Sequence, residues 1–372
     1  MRIERLSVLG VRNLAAAELA LEPRLNLVWG PNGAGKTNVL EALYMALAGR
    51  SCRTANDRET IAFGEPLARA EAVVADDAER RTFLCAVDRS EGKRHALDGT
   101  PAGPDAGPRR PPLAVFMPDR LVLVKGPPAA RRAHLDRFCA AMWPARAEAR
   151  RRYGRALAQR NALLGRIRAG EAGVEGLDAW DQELATAGVE LIDTRAGAVE
   201  RLATPFVAAA ADLGLPGKAS LEYRPRSEAH TAEELTRELG DRRDSDLGRG
   251  YTGHGPHLDE LALRADGRQL RRYGSQGQQR VGLLALLFAE HDALVADGRP
   301  PPLMLLDDVT SELDPERRAA LCERLEAGGG QALITAATRE ALPASTERAE
   351  LALRDGRAIV PVSAPESDTR AA

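Results

Sequence analysis

Cysteine, lysine and long hydrophobic segments are scarce in this sequence of 372 residues. It contains four cysteines, none of which form a Cys-x-x-Cys pair: Cys52, Cys85, Cys139 and Cys322. That spacing argues against a zinc site or a disulfide framework and favours a reducing compartment. The sequence begins without an apolar signal segment, and no run approaches the roughly 18 apolar residues that a membrane helix needs. We therefore expect a cytoplasmic protein.

An excess of charge of one sign is also absent. The formal net charge is −2, so no global positive field indicates nucleic acid as a partner. Only four of the basic residues are lysines, so any local positive patch must be built mainly from arginine. With 44% hydrophobic and 28% charged residues, the composition fits a soluble globular protein of about two domains.

One glycine-rich stretch organises the rest of the chain. Residues 30–37 match the P-loop pattern G-x-x-x-x-G-K-[ST], between a predicted buried strand at 25–29 and a predicted helix at 38–48 that ends at Gly49. The backbone N–H groups of such a loop surround phosphate oxygens, and the helix dipole adds positive potential. Lys36 would contact the β- and γ-phosphates of ATP, and the Thr37 hydroxyl would hold Mg²⁺. The predicted nucleotide-binding residues of this stretch are Gly30, Asn32, Gly33, Gly35, Lys36, Thr37 and Asn38.

A second motif supplies two carboxylates. The apolar run at 303–306 predicts a buried strand, and Asp307 and Asp308 follow it directly. In a P-loop protein this arrangement is typical of a Walker B strand, in which Asp307 would help to hold Mg²⁺ and Asp308 would act as general base on the attacking water. Asp314 and Pro315 then predict a helix start, and residues 332–335 a further strand. This succession favours a parallel sheet with its ligand crevice at the carboxyl ends of the strands.

The pattern changes between these two motifs. Short alternating runs predict a small antiparallel sheet, whereas residues 119 to about 240 show helical spacing, with Leu177, Leu184 and Leu191 in register. Arginines crowd this helical insert, and two interpretations stay open: a solvated helix face with ion pairs, or a surface that contacts phosphates. Further strands are predicted at 3–8, 19–27, 68–74, 80–87, 95–97, 113–117, 258–263 and 269–273, and a long helix at 278–295.

Several phrases of the sequence are similar to those of a known ATPase group. Gly274–Arg280 resembles the signature loop of ABC-type ATPases, and Ser311–Asp314 resembles their D-loop. With five further phrases, residues 1 to about 360 resemble the ATPase heads of the SMC/Rad50 group and, within it, the RecF family of recombination mediators. Those phrases are Val11–Leu14, Leu40–Ala42, Leu123–Gly126 with Arg131 and Arg132, Gln159–Asn161 and Gly255–His257.

This resemblance implies an α/β fold of the ABC-type P-loop ATPase head. Such a head has a mixed sheet with flanking helices and a small antiparallel sheet, joined here to a helical second lobe without a long coiled coil. Residues 1–118 and 250–360 would form ATPase lobe I, residues 119–249 helical lobe II, and residues 361–372 a polar tail.

The resemblance also implies an ATP-dependent switch. Two heads would close face to face over two ATP molecules, and Ser275, with Gly277 and Gln278, would contact the γ-phosphate held by the other subunit. Arg12, in a polar turn ahead of the nucleotide strand, is a further candidate for contact with ATP. Weak, DNA-stimulated ATP hydrolysis would reset the switch.

Members of this family act on DNA. The closed homodimer would clamp duplex DNA at single-strand gaps and promote RecA loading with RecR and RecO, in DNA replication, DNA repair and the SOS response. Arg131 and Arg132 are the candidate phosphate contacts. Three places depart from the family pattern, namely Asp119–Leu121, Leu258, and Tyr273 with Gly274, and the sequence does not identify a Q-loop glutamine.

Three other functions remain open at this stage. A mechanical head of the SMC/Rad50 type needs a long coiled coil, and the glycines that interrupt the helical insert argue against one. An ATPase subunit of a membrane transporter normally lacks such an arginine-rich insert. A P-loop kinase of a small metabolite rarely places 270 residues between Thr37 and Asp307.

Overall fold

The computed structural model describes residues 1–76, 79–103, 110–117, 121–311 and 313–359. Its contacts divide the chain into two compact units, of which unit 1 combines Met1–Asp119 with Pro300–Ala372 and unit 2 is Arg120–Arg299. Glu312 of the predicted D-loop, the departing residues Asp119 and Arg120, and the predicted tail at 361–372 lie outside the described residues.

The helices and strands follow one another in three blocks. The first block of unit 1 contains β1 (Arg2–Val11), β2 (Leu14–Ala20), β3 (Leu25–Trp29), α1 (Lys36–Ala48), β4 (Leu67–Ala75), β5 (Arg80–Asp88), β6 (Gly92–Leu97), β7 (Thr100–Pro101) and β8 (Leu113–Phe116). Unit 2 contains α2 (Val122–Lys125), α3 (Pro128–Met142), α4 (Ala147–Arg168), α5 (Leu177–Asp212), β9 (Ala219–Arg224), α6 (Ala232–Asp241), α7 (Arg243–Arg249), β10 (Glu260–Ala265), β11 (Arg268–Gln269), α8 (Leu270–Tyr273) and α9 (Gln276–Ala296). Unit 1 resumes with β12 (Leu303–Leu306), α10 (Pro315–Ala327), β13 (Ala332–Ala336), β14 (Ala349–Arg354) and β15 (Arg357–Ile359).

A mainly parallel sheet carries the nucleotide motifs of unit 1. Its strand order is β15-β14-β3-β13-β12-β8, with every neighbouring pair parallel except β14 and β15. The central strands β12 and β13 are buried along their whole length, as expected for parallel strands covered on both faces. β13 lies between β3 and β12, so the carboxyl ends of these three strands meet at one edge of the sheet.

An antiparallel sheet of order β2-β1-β4-β5-β6-β7 forms the second layer of unit 1. Helix α1 packs against both sheets, and its residues from Val39 to Leu47 are all buried. From Val39 to Leu47 the helix is apolar except for Glu41, and a helix of this kind is stable inside a core, so the sequence of α1 favours its central position. The predicted antiparallel sheet, the strand before the P-loop and the end of the helix at Gly49 are confirmed.

One strand predicted in unit 1 is wrong. The sequence predicts a strand at 19–27, whereas β2 covers Leu14–Ala20 and pairs with β1 as a hairpin, and β3 begins at Leu25. The break is built around Asn26, whose buried side-chain amide accepts from Glu22 N at 2.8 Å and donates to the Glu22 carbonyl at 2.9 Å. Pro23 lies inside this loop and has no N–H to donate to a sheet.

Unit 2 is organised around the 36-residue helix α5, which packs against α4, α6, α9 and β9. Leu177, Leu184 and Leu191 are buried along it, which confirms the helical spacing read from the sequence. The strand predicted at 269–273 is wrong, because β11 ends at Gln269 and the chain turns into α8. Gln279 fixes this turn, since its amide donates to the carbonyl oxygens of Leu270 and Gly274 at 2.9 and 3.0 Å.

The compact units differ from the predicted lobes over residues 250–299. The sequence assigns this segment to lobe I, whereas its contacts group it with the helices of unit 2. The reason is local: β10 pairs along its length with β9, and α9 packs on α5. Within the described residues no long coiled coil is present, and no helix is both long and apolar enough to cross a membrane.

Candidate active site

The P-loop joins the buried end of β3 to the first turn of α1. Gly35 precedes the helix with φ 102°, in the left-handed region that favours glycine. A Cβ atom at Gly35 would lie 2.6 Å from Asn13 Oδ1, and one at Gly30 would lie 2.1 Å from the Leu353 carbonyl oxygen. Neither position has room for a side chain, so the loop can keep this tight path only with glycine there.

Lys36 begins α1 and lies over the loop. Its Nζ donates to the carbonyl oxygens of Gly30 at 2.8 Å and Pro31 at 3.0 Å. Partial burial lowers the pKa of Lys36, while the nearby carboxylates of Asp308 and Asp307 act in the opposite direction. The ammonium group is therefore placed between the glycine-rich loop and the two acids that follow β12.

The structure brings Thr37 and Asp307 together across 270 residues. The Thr37 hydroxyl is 2.9 Å from both Asp307 carboxylate oxygens, and the Thr335 hydroxyl donates to Asp307 Oδ1 at 2.6 Å. Burial raises the pKa of Asp307, although the hydrogen bonds from Thr335 and Thr37 oppose that rise. Thr335 was missed as a site residue, but its sequence signal exists: it stands at the carboxyl end of β13, next to Asp307.

Asp308 has a different environment from its neighbour. It is half-buried, and its φ of 45° places it in the left-handed region, beyond the end of β12. Its backbone N–H donates to the Thr335 hydroxyl at 2.9 Å, which supports this uncommon conformation. Thr335 therefore fixes both acids, through the side chain of Asp307 and the backbone of Asp308.

Arg12, the candidate ATP contact, forms a bidentate ion pair with Glu41 of α1. Its Nε and Nη2 each donate to a Glu41 carboxylate oxygen at 3.0 Å, and Nη1 donates to the Glu59 carbonyl at 2.6 Å. Glu41 is fully buried. Burial alone would raise the pKa of Glu41, but hydrogen bonds from Arg12 and Ser51 hold it below its usual value. Arg12 thus anchors its turn to α1, and its contact with ATP stays a prediction.

Two further residues of the site were not predicted. Asn13 donates to the Gly33 carbonyl at 2.8 Å and accepts from the Asn38 amide at 2.7 Å, so it ties the β1–β2 turn to the P-loop. Arg53 Nη1 donates to Asn38 Oδ1 at 2.9 Å, and its positive charge lowers the pKa of Asp307. Asn13 lies in a phrase that the sequence did single out, whereas Arg53 lies in an irregular segment without any pattern.

The signature residues lie in unit 2, at the start of the 21-residue helix α9. Ser275 is the N-cap, and its hydroxyl accepts from Gln278 N at 3.2 Å while Gln278 Oε1 accepts from Ser275 N at 2.8 Å. This capping box satisfies donors of the first turn locally. Ser275 is exposed and Gly277 partly so, which leaves the positive end of the helix open to solvent.

The two predicted DNA contacts differ from what the sequence suggests. Arg131 is 4% exposed, forms a bidentate ion pair with Glu260 at 2.6 and 2.8 Å, and donates to carbonyl oxygens at the end of α2. A buried guanidinium with these partners holds α3 to β10, and contact between Arg131 and DNA stays a prediction. Arg132 is half-buried and donates to the Asp259 carbonyl at 2.8 Å.

The class of the protein follows from the P-loop after β3, the acids at the end of β12 in the same sheet and the antiparallel second layer: this is an ABC-type ATPase head. Residues 5–97 match the AAA domain family. A solved Smc head bound to the C-winged helix domain of ScpA is 16% identical with a TM-score of 0.58, covers 96% of each chain, and shows the fold alone.

The particular family is RecF, and the chain belongs to it. It is 41% identical to the DNA replication and repair protein RecF of Anaeromyxobacter sp., over 91% of this chain and 93% of that protein. The RecF protein of Heliobacterium modesticaldum is 36% identical over 90% and 92% of the two chains. A structure of the recombination mediator protein RecF with ATP, in the RecFOR pathway, has a TM-score of 0.85 at 26% identity and covers 96% of this chain and 97% of that one.

Proposed function

We propose that this protein is an ATP-dependent DNA-binding protein of recombinational repair. ATP binding drives two copies to dimerise, the dimer clamps duplex DNA at single-strand gaps, and it promotes RecA loading together with RecR and RecO. Slow, DNA-stimulated ATP hydrolysis then releases the clamp. The protein acts in the cytoplasm, where its DNA substrate lies. Membership of the RecF family supports the repair role, and the geometry of unit 1 supports ATP as the ligand.

The observation that carries the ATPase role is the pairing of Thr37 with Asp307. An aliphatic hydroxyl and a carboxylate 2.9 Å apart offer the oxygen ligands that Mg²⁺ prefers, and they lie directly beyond the glycine-lined loop. Bound there, Mg²⁺ neutralises negative charge on the phosphates of ATP. Thr335 orients Asp307 toward Thr37, because its hydroxyl is shared between Asp307 and the backbone of Asp308.

The other site residues of unit 1 bind the phosphates of ATP and accept the proton of the attacking water. The backbone N–H groups at the start of α1 hold phosphate oxygens, and Lys36 stabilises the charge on the β- and γ-phosphates. Asp308 accepts the proton of the attacking water at its carboxylate. Ser275 and the first turn of α9 in a second copy complete the site around the γ-phosphate, so hydrolysis requires the dimer.

Sedimentation velocity with a gapped DNA duplex tests this proposal. We expect a monomer without nucleotide and a DNA-bound dimer with Mg–ATP, because residues of both copies contact the γ-phosphate. ADP should not support the dimer, because it lacks the γ-phosphate. A protein that remains monomeric on DNA with ATP, or that dimerises equally with ADP, would contradict the switch. Transfer of the γ-phosphate of ATP to a small metabolite instead of to water would indicate a metabolite kinase.

A further inference from the structure

The arginines of unit 2 fall into two classes that the sequence does not separate. Arg131, Arg160 and Arg195 are between 0% and 4% exposed; Arg160 and Arg195 are paired with buried carboxylates, and Arg131 with the partly buried Glu260. Their positive charges are therefore balanced by carboxylates within unit 2. In contrast, the side chains of Arg150, Arg151 and Arg155 on α4 are 57%, 58% and 69% exposed. Only this second class is available to a ligand.

The exposed arginines surround a groove of about 620 Å³ between α3, α4 and α5. We name it the α4 groove; Arg132, Arg150, Arg151, Tyr153, Gly154 and Arg155 are among its lining residues. Arg195 and Asp136 lie at its inner side, and Asp136 is paired with both Arg195 and Arg150. Five arginines and one aspartate line the groove, so it is positive although the whole chain carries −2.

The cations of the groove are incompletely neutralised. Arg151 and Arg155 share the single carboxylate of Glu148, at 2.8 and 2.9 Å. Burial lowers the pKa of Arg132, and the nearby charge of Arg195 adds to that effect, while the carboxylates of Asp259, Glu260 and Asp136 oppose it. The groove therefore has a positive potential that a ligand with several negative charges would relieve.

Gly154 leaves this face of α4 without a side chain between the arginines. It lies in the interior of α4, where glycine is less stable than alanine, and it is exposed. A Cβ atom built on it would meet no atom within 4 Å, so packing does not require glycine there. Because no side chain projects from this position, the floor of the groove is the helix backbone itself, and a ligand between the arginines can approach it closely.

We infer that the α4 groove binds the phosphodiester backbone of DNA, an inference that rests on the proposed function and identifies its DNA contacts. Arg151 and Arg155 are one turn apart, about 6 Å along the axis of α4, and each strand of a DNA duplex presents one phosphate about every 3.4 Å of duplex axis, which is within the reach of two long arginine side chains. The arginines can therefore contact neighbouring phosphates of one strand. These contacts do not depend on base sequence.

Two variants test the groove by different physical effects. The triple variant Arg150→Gln, Arg151→Gln, Arg155→Gln removes charge, and Gly154→Leu raises the floor without changing charge. The matched control, Arg166→Gln, Arg201→Gln, Arg237→Gln, removes three exposed arginines of unit 2 outside the groove. Binding to a gapped duplex is measured by fluorescence anisotropy with Mg–ATP between 0.05 and 0.3 M salt, on full-length proteins matched in ATP affinity and melting temperature.

The triple variant should reduce the slope of log affinity against log salt by about 2.7, and weaken binding roughly 50- to 100-fold at 0.2 M salt. Gly154→Leu should weaken binding without an equal change in slope, and the control should stay within about threefold of the parent. Unchanged affinity and slope in the triple variant would overturn the groove while leaving the DNA clamp intact. A parent protein that binds no DNA would overturn both. Polyglutamate serves as a second probe, which represents an acidic protein segment. If the triple variant loses binding to polyglutamate but keeps its binding to DNA, the groove binds acidic protein segments and the inference is wrong.

Discussion

The P-loop site of unit 1 and the signature residues of unit 2 satisfy their polar groups in different ways. In unit 1, Thr37, Asp307 and Thr335 come from distant parts of the sequence and bind one another. In unit 2, Ser275 and Gln278 are three residues apart, and each side chain accepts from the backbone N–H of the other. The first arrangement depends on the folded sheet, whereas the second forms within one helical turn. One unit therefore contains a polar site that is arranged by the folded sheet, and the other contains a locally capped helix end that is open to solvent.

Among changes to the two sites, Lys36→Met in the P-loop of unit 1 should have the largest effect. Removal of the ammonium group that faces the phosphates should abolish tight ATP binding, and with it dimerisation and ATP-dependent binding to DNA. Filter retention of labelled ATP measures the first effect directly. Lys93→Met, a change of the same type at an exposed position of β6, serves as the control and should retain ATP binding. Normal ATP affinity in the Lys36 variant would remove the basis for the P-loop site.

Asp308→Asn should separate binding from hydrolysis. Loss of the base should slow hydrolysis by roughly 10²–10⁴-fold while ATP binding and closure persist, so the dimer should remain on DNA. Asp307→Asn should instead weaken Mg–ATP binding, because Asp307 is the residue that contacts Thr37. The measurement is the lifetime of the dimer on DNA after excess ATP is removed. Equal lifetimes for Asp308→Asn and the parent would show that Asp308 is not the base.

Ser275→Arg tests the signature residues of unit 2. Since Ser275 belongs to unit 2 and is exposed, the variant should bind ATP as a monomer with nearly normal affinity but dimerise at least about tenfold more weakly, because the new side chain occupies the space for the opposing γ-phosphate. Ser275→Ala removes the cap without filling that space and should have a smaller effect. Sedimentation with ATP distinguishes them, and a monomer that loses ATP affinity would argue against contact across the dimer.

Thr335→Val should have the smallest effect, and it depends on pH. The pKa of Asp307 is raised by burial, so its contribution to the stability of the nucleotide-free protein is complete below the unfolded pKa and is lost as pH rises through the folded value. Mg²⁺ requires the ionised form, so Mg–ATP affinity should fall as pH drops through that raised pKa. Removing the Thr335 hydroxyl should move this fall to higher pH and cost about 1–3 kcal/mol of unfolding free energy near neutral pH. Exposed Thr338→Val is the control, and an identical pH profile in both variants would contradict the role of Thr335.

The residues that sequence analysis placed correctly are those with a short-range signal. The P-loop, the strand ending in Asp307 and the N-cap at Asp314 each depend on a few adjacent residues, and each forms as expected. The burial of Arg131 was not anticipated, because it depends on Glu260, 129 residues away, and no local pattern distinguishes a buried arginine from an exposed one. For the same reason Arg53 was missed, since only the folded chain brings it beside Asn38 and Asp307.

The left-handed conformation of Asp308 restricts which residues can replace it during evolution. Aspartate, asparagine and glycine adopt a φ near 45° at little cost, whereas other residues add backbone strain to any loss of chemistry. If Asp308 is the base, as proposed, selection on folding and selection on hydrolysis act on the same codon. A descendant that lost hydrolysis but kept a stable fold would more readily carry asparagine or glycine here than alanine, and such a chain would be preserved as an ATP-binding protein that closes and does not reopen.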